Sequence, residues 1–248
     1  MKKLIKLPFV FLTILLLNGC TDKDVYYQRP EWLEPPIYEV LKQKGNFRMY
    51  LQCIDTTLYA SVLKGAGLYT VFAPNDEAFT AFLSSRGYTS VKNIPFTEIE
   101  KIVAYSICYS TTTFDSIGVM GGFKYKTQYY ALPYRDPEFN NEWVVDQTMT
   151  NNWSTSYNNY KFIPAFTSTF FASFNPPLSA TDYNVFFPNV TYTGKNIQGG
   201  EIVKSDIRAE NGIIHEVSTV NLPLDNLEDI LKKPENNLFK SLVDAKDA

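Results

Sequence analysis

Two short segments set the strictest limits on how this 248-residue chain can fold: Thr70–Phe79 (TVFAPNDEAF) and Asn211–Pro223 (NGIIHEVSTVNLP). In the first, Thr70–Ala73 is a short apolar run with a threonine and an aromatic, which suits a buried strand. Pro74 cannot donate to a ladder and ends it. Asn75 can then cap a helix by accepting an otherwise orphaned backbone N–H. Asp76 and Glu77 place negative charge in the first turn, where the helix dipole favours it. Ala78, Phe79, Phe82 and Leu83 recur at helical spacing, so the segment predicts a strand-to-helix corner. In the second, Asn211-Gly212 is a turn signal, because both residues tolerate positive φ. Ile213, His215, Val217 and Thr219 then face one side of a strand, and Ile214, Glu216, Ser218 and Val220 the other. Pro223 closes that strand.

In this order and style the two segments resemble the paired signatures of the fasciclin-domain family. Thr70, Phe72, Pro74, Asn75 and Phe79 carry the first match, and Asn211, Gly212 and His215 the second. The resemblance spans roughly Ile37 to Asp225 and is specific at its two ends. It implies an α+β fold, with short helices packed on a mixed or antiparallel β-sheet core, here with a long aromatic-rich insertion. It also implies adhesion or other extracellular contact, with a protein or matrix partner, rather than catalysis. Fasciclin domains often carry a Tyr-His pair at the end of a central helix. Tyr105-Ser106 stands at that position here, so no role that depends on the histidine carries over.

The amino terminus reads as an address and an anchor. Lys2, Lys3 and Lys6 precede Leu7–Leu17, a run apolar apart from Pro8 and Thr13. Eleven residues suit a signal-peptide core and fall short of the roughly twenty that a spanning helix needs. Leu17-Asn18-Gly19-Cys20 resembles a bacterial lipobox, which implies lipidation, palmitate included, at Cys20; the alternative is ordinary secretion with a spare thiol. Each buried CH₂ of an acyl chain contributes about 0.8 kcal/mol, so several chains anchor almost permanently. Residues 1–19 are thus expected to be a signal peptide and 20–36, rich in polar residues and proline, a lipidated tether. Asp22 and Asp24 are compatible with export to the cell surface. The expected location is the bacterial envelope, as a surface-exposed outer-membrane lipoprotein held by its lipid.

Between tether and corner, three helical stretches are expected: one from Ile37 with Val40 and Leu41 ending at Gly45, one with Phe47, Tyr50, Leu51 and Ile54, and one around Leu58–Leu63 ending at Gly65. Thr97 with Glu100 has capping-box spacing and predicts a helix through Ile99, Ile102 and Val103. Strands are expected over Glu201–Val203 and Ser205–Ile207. The domain is placed at 37–226, with residues 227–248 a helical tail or the start of a further domain. Asp225 is placed to cap a helix through Leu227, Ile230 and Leu231.

An insertion at about 129–190 is dense in aromatics interleaved with Asn140-Asn141, Asn151-Asn152 and Asn158-Asn159. Too apolar for disorder, it is expected to fold onto the domain. Within it Trp143-Val144-Val145 reads as a strand, and Phe162–Ser173, with Phe162, Phe166 and Phe170 four apart, as a helix. Aromatic faces stack on sugar rings and amides bond their hydroxyls, so this composition also fits a polysaccharide site. Trp143, Trp153 and Tyr157, set among polar turn residues, are the candidate glycan or partner contacts. The alternative is that the aromatics pack the insertion against the sheet.

Charge and chemistry narrow the rest. Removing residues 1–19 takes away three lysines and no acids, leaving 20 basic and 26 acidic side chains, a formal charge of −6. That balance gives nucleic acid no electrostatic footing. Cys53 and Cys108, each beside apolar neighbours on an expected helix, read as small buried hydrophobes, the alternative being a bridge between them that an oxidising envelope would permit. His215, the single histidine, reads as a core or half-buried residue bonded to backbone. One histidine, no Gly-x-Ser-x-Gly and no Cys/His metal spacing point away from an enzyme and from any cofactor.

Overall fold

The computed structural model describes residues 33–119, 124–130, 160–225, 230–231, 233–238 and 241. Proline at the entry and glycine at the exit frame the first element. Pro36 precedes α1 (Ile37–Lys44), and Gly45, at φ 76°, ends it in the left-handed conformation that glycine adopts without cost. α2 (Arg48–Asp55) and α3 (Tyr59–Lys64) follow. Their apolar stripes, Ile37, Val40 and Leu41, then Tyr50, Cys53 and Ile54, then Leu63, are all buried.

The strand-to-helix corner forms as expected. β1 (Tyr69–Pro74) runs into α4 (Asp76–Arg86), where the Asn75 side-chain oxygen accepts from the Ala78 N–H at 2.9 Å. α5 (Phe96–Ser106) passes directly into β2 (Ile107–Tyr109). The Thr97–Glu100 capping box does not form. Pro95 occupies the N-cap, and Thr97 already lies in the first turn. Proline's fixed φ and missing N–H make it a ready helix entry, and it displaces the cap by two residues.

Four further strands join β1 and β2: β3 (Lys124–Tyr130), β4 (Tyr160–Thr167), β5 (Lys195–Ile197) and β6 (Gly200–Ala209); β7 (Gly212–Val217) completes the set. Each pairs with the next in chain order, antiparallel throughout. β7 then lies parallel to β1, and the sheet closes into a barrel. The fold is therefore α+β with a mixed sheet. Closure leaves no unpaired edge between the first and last strands.

Two cores follow from this geometry. Phe72, Cys108, Tyr125, Ile163, Ala165, Ile197, Ile202 and Val217 come from all seven strands and cluster together, with Tyr105 of α5 among them. A cluster supplied by every strand is the filled interior of a small barrel. The alternate residues of β1 and β7, Val71, Ala73 and Ile214, face the other way and pack against α1, α2, α4 and α5.

Several expectations are redrawn. Phe162–Ser173 is not one helix: β4 covers its first part, and only Ser168–Ala172 is helical, as α6. Ile163, Ala165 and Thr167 point inward at period two, and Pro164 breaks any helical ladder. The range read as an insertion thus contains a barrel strand, and residues 131–159 connect β3 to β4. α7 (Ala180–Phe186) was not expected, although Ser179 and Asp182 form a capping box at its start. β7 stops at Val217, not Pro223. Its partner β1 ends at Pro74, opposite Val217, where the missing N–H ends the ladder. Cys53 and Cys108 are free and buried, in accord with the sequence. Burial pushes the Cys53 thiol up to about 12 and Cys108 further still. Cys20, Trp143, Trp153, Tyr157, the Trp143–Val145 strand and most of the tail after residue 225, Leu227 included, lie outside the described residues.

Candidate functional site

The two sequence segments meet. β1 and β7 pair residue for residue, Tyr69 with Gly212, Thr70 with Ile213, Phe72 with His215 and Ala73 with Glu216. Three sets of polar side chains lock this seam. Asn211 is buried, and its side-chain oxygen accepts from the Ile37 N–H at 2.8 Å. Its amide donates to the carbonyls of Leu63 and Gly65, at 3.0 and 2.7 Å. One side chain therefore satisfies the open ends of α1 and α3. The neighbouring Gly212 is fixed by space, since a Cβ there would stand 2.0 Å from the Tyr69 carbonyl oxygen.

Glu216 forms the second lock. Its buried carboxylate accepts from the Asn46 and Asn75 amides, at 3.0 and 2.8 Å. Asn75 thus caps α4 with its oxygen and holds β7 with its nitrogen. His215 forms the third. Its Nε2–H donates to the Thr112 carbonyl at 3.0 Å, its Nδ1 accepts from the Asp206 N–H at 3.4 Å, and its ring stacks on Phe72 at 5.5 Å. Desolvation lowers its pKa, outweighing the Thr112 and Asp206 contributions that raise it, so the ring is neutral at pH 7. Thr70 completes this corner by donating to the Ser110 carbonyl and accepting from the Thr112 N–H, each at 2.8 Å. After Tyr105, the Ser106 hydroxyl meets the Tyr50 hydroxyl in the core. Phe79 fills the core beneath the corner.

Beside the seam lies a groove of about 580 Å³, between α4 and the irregular segment 218–225. Phe82 and Arg86 of α4, Leu222 and Phe187 are among the residues that line it. Two residues with carboxamide side chains, Gln198 and Asn221, stand among its lining. Gln198, 9% exposed, sits at φ 51°, and its backbone is held by an N–H bond to the Pro164 carbonyl and by the Tyr183 hydroxyl donating to its own carbonyl. Its Nε2 donates to the Leu222 carbonyl at 2.8 Å, which fixes which end of the amide is oxygen. The Oε1 atom and the Nδ2 of Asn221, itself 8% exposed, are buried with no hydrogen-bond partner in the protein.

Sequence reasoning missed both amides. Asn221 offered a signal, a lone polar residue between Val220 and Leu222 just before Pro223. Gln198 offered another, a long polar side chain entering the Gly199-Gly200 turn. Such orphaned groups cost about 1–3 kcal/mol each, and both atoms are sealed from solvent beside the groove.

No known family model matches this chain, and no curated protein matches it. Among solved structures it is similar to a FAS1 domain pair from the insect cell adhesion molecule fasciclin I, at 10% identity and a TM-score of 0.46. That alignment covers 80% of this chain and 53% of the other, so the chain spans about half the length of that domain pair.

Proposed function

We propose that this chain is a lipid-tethered fasciclin-type module of a bacterial cell surface, working by contact with an extracellular partner. The observation that carries the reading is the seam. Two segments that resemble the fasciclin signatures in sequence lie side by side in register, and Asn75 of one bonds Glu216 of the other across 141 positions of chain. The lipobox-like Leu17–Cys20 supports the tether.

The test follows the chain in a lipoprotein-making bacterium. Labelled palmitate should enter the protein and be lost in Cys20→Ala, which should also leave the membrane fraction. Protease added to intact cells should digest the anchored form. Persistence of label in Cys20→Ala, or full protection from protease, would sink the surface reading. The composition around Trp143, Trp153 and Tyr157 favours a second reading, capture of polysaccharide. Affinity electrophoresis through polysaccharide gels, with a Trp143→Ala, Trp153→Ala double variant beside it, decides that one. Retardation abolished by the variant would favour glycan, and free migration would dispose of it.

A further inference from the structure

His215 ties together two segments that are remote in sequence. Its Nε2–H holds the Thr112 carbonyl in the loop after β2, and its Nδ1 holds the Asp206 N–H in the bulge of β6. The two segments also bond each other, since Asp206 Oδ1 accepts from the Phe114 N–H at 2.9 Å. Residues of both line one groove of about 500 Å³, Thr111, Thr113 and Asp115 from the loop and Asp206, Arg208 and Glu210 from β6. Each segment carries a non-glycine residue in the left-handed region, Ser110 at φ 70° and Asp206 at φ 57°. That conformation persists where the surrounding bonds impose it.

Only the neutral ring can make this pattern. An imidazolium carries N–H on both nitrogens, and at Nδ1 the second one would point at the Asp206 N–H, donor against donor. The groups around the ring leave one remedy. Phe72 of β1, on which the ring stacks, has no charge. In the barrel core beside Phe72, Cys108 of β2, Tyr125 of β3 and Tyr105 of α5 are held protonated by burial. Glu216, next along β7, is already engaged by Asn46 and Asn75. Asp206 is the charged group, among the described residues, whose field favours a proton on the ring. Its carboxylate is the acceptor that an Nδ1–H needs, and Phe114 holds it. The Phe114–Ser116 turn depends on that bond. The turn's other printed hydrogen bonds stay within residues 113–119, and the Phe114 ring packs half-buried against the barrel core.

We propose that acid opens this groove: a proton taken from solvent at Nδ1 of His215 draws the Asp206 carboxylate off the Phe114 N–H, and the 113–116 turn comes away from β6. Thr70 keeps its hold on Ser110 and Thr112, so the loop swings from that end and stays attached. Burial lowers the histidine below its ordinary 6.5 in the closed form, which keeps the groove shut at pH 7 and places the opening on the acid side. The device goes beyond the contact function, because it makes part of the surface conditional on pH.

The experiment is hydrogen–deuterium exchange of the full-length protein in detergent at pH 7.5 and pH 5.0, with labelling times scaled for the intrinsic pH dependence of exchange. The expected result is about tenfold faster scaled exchange at pH 5.0 in peptides within 110–117, with β1 and β7 unchanged. His215→Gln keeps a donor and an acceptor on one side chain but cannot take the proton. Asp206→Asn keeps an oxygen for the Phe114 N–H but loses the charge. Each should abolish the pH response. The second is conservative at an exposed, left-handed position that asparagine tolerates, so it stands if the first folds poorly. Unchanged exchange of 110–117 between the two pH values would overturn the proposal. An equal rise in β1 and β7 would also overturn it, since that marks global unfolding by acid. So would a response that survives either substitution, which would assign it to Asp115 or Glu210.

Discussion

Asn211 does more for this fold than its size suggests, because three backbone groups from two helices and a loop end on one side chain. Replacing it with alanine leaves the Ile37 N–H and the Leu63 and Gly65 carbonyls without it in a buried place. At about 1–3 kcal/mol for a stranded buried group, Asn211→Ala should cost on the order of 3 kcal/mol, read as a lower urea midpoint at unchanged slope. A loss under about 1 kcal/mol would mean the helix ends find other partners. His215 gives a prediction of a different kind. Its folded pKa lies below its unfolded value of about 6.5, because burial disfavours the charged ring. Above that value both states are neutral, and the histidine adds no pH dependence. As pH falls through 6.5 the unfolded chain takes up a proton first, and stability drops until the folded pKa is passed. Urea midpoints should therefore fall between pH 7.5 and pH 5.5, and His215→Gln should flatten that slope. An equal slope in the variant would assign it to the carboxylates. The legible part of the chain sits at this scale: the roles of Asn75 and His215 followed from residue type and neighbours alone. The reach of Asn211 did not, since its partners lie 146 to 174 positions away.

At the scale of elements, the sequence was most legible where a local signal had no rival. Gly45 ends its helix as expected, and the Pro74-Asn75 corner forms where proline and an N-cap stand together. It misled where two periods coexist. Phe162, Phe166 and Phe170 stand four apart and suggest a helix, while Ile163, Ala165 and Thr167 stand two apart and fit a strand. The barrel decides between them, because β4 bonds to neighbours on both sides. The two readings make opposite predictions about adjacent residues. With Ile163 inside the barrel and Phe162 half-buried with the Lys124 ammonium over its ring, Ile163→Ala should cost about 2–5 kcal/mol and Phe162→Ala clearly less. Chemical denaturation of the two variants side by side would measure the difference. The reverse order would restore the helical face. Thr97 and Glu100 teach the same lesson at a helix start, where the proline two residues earlier prevails over the hydrogen-bonding pattern.

The whole molecule is a barrel whose first and last strands meet only when the rest of the chain is in place. Parallel pairing of β1 with β7 joins residues some 143 positions apart, and nothing local stabilises it beforehand. Such closure was illegible in the sequence, which signals each strand but not its neighbour. It makes unfolding cooperative, since opening the seam exposes both the barrel interior and the helix-facing core. The two buried thiols report on this, one in each core: Cys53 among the helices and Cys108 inside the barrel. Each is fully inaccessible and, with its pKa pushed up by burial, a poor source of thiolate. In a Cys20→Ser background at pH 8, a thiol-reactive dye should therefore label both at one common rate, equal to that of global unfolding. Asn211→Ala, acting at the seam and touching neither thiol, should speed the two together. Reaction of Cys53 ahead of Cys108 would instead show the helical layer opening while the barrel stays shut. The seam would then hold the barrel alone, and the helices would be a separate, weaker unit laid against it.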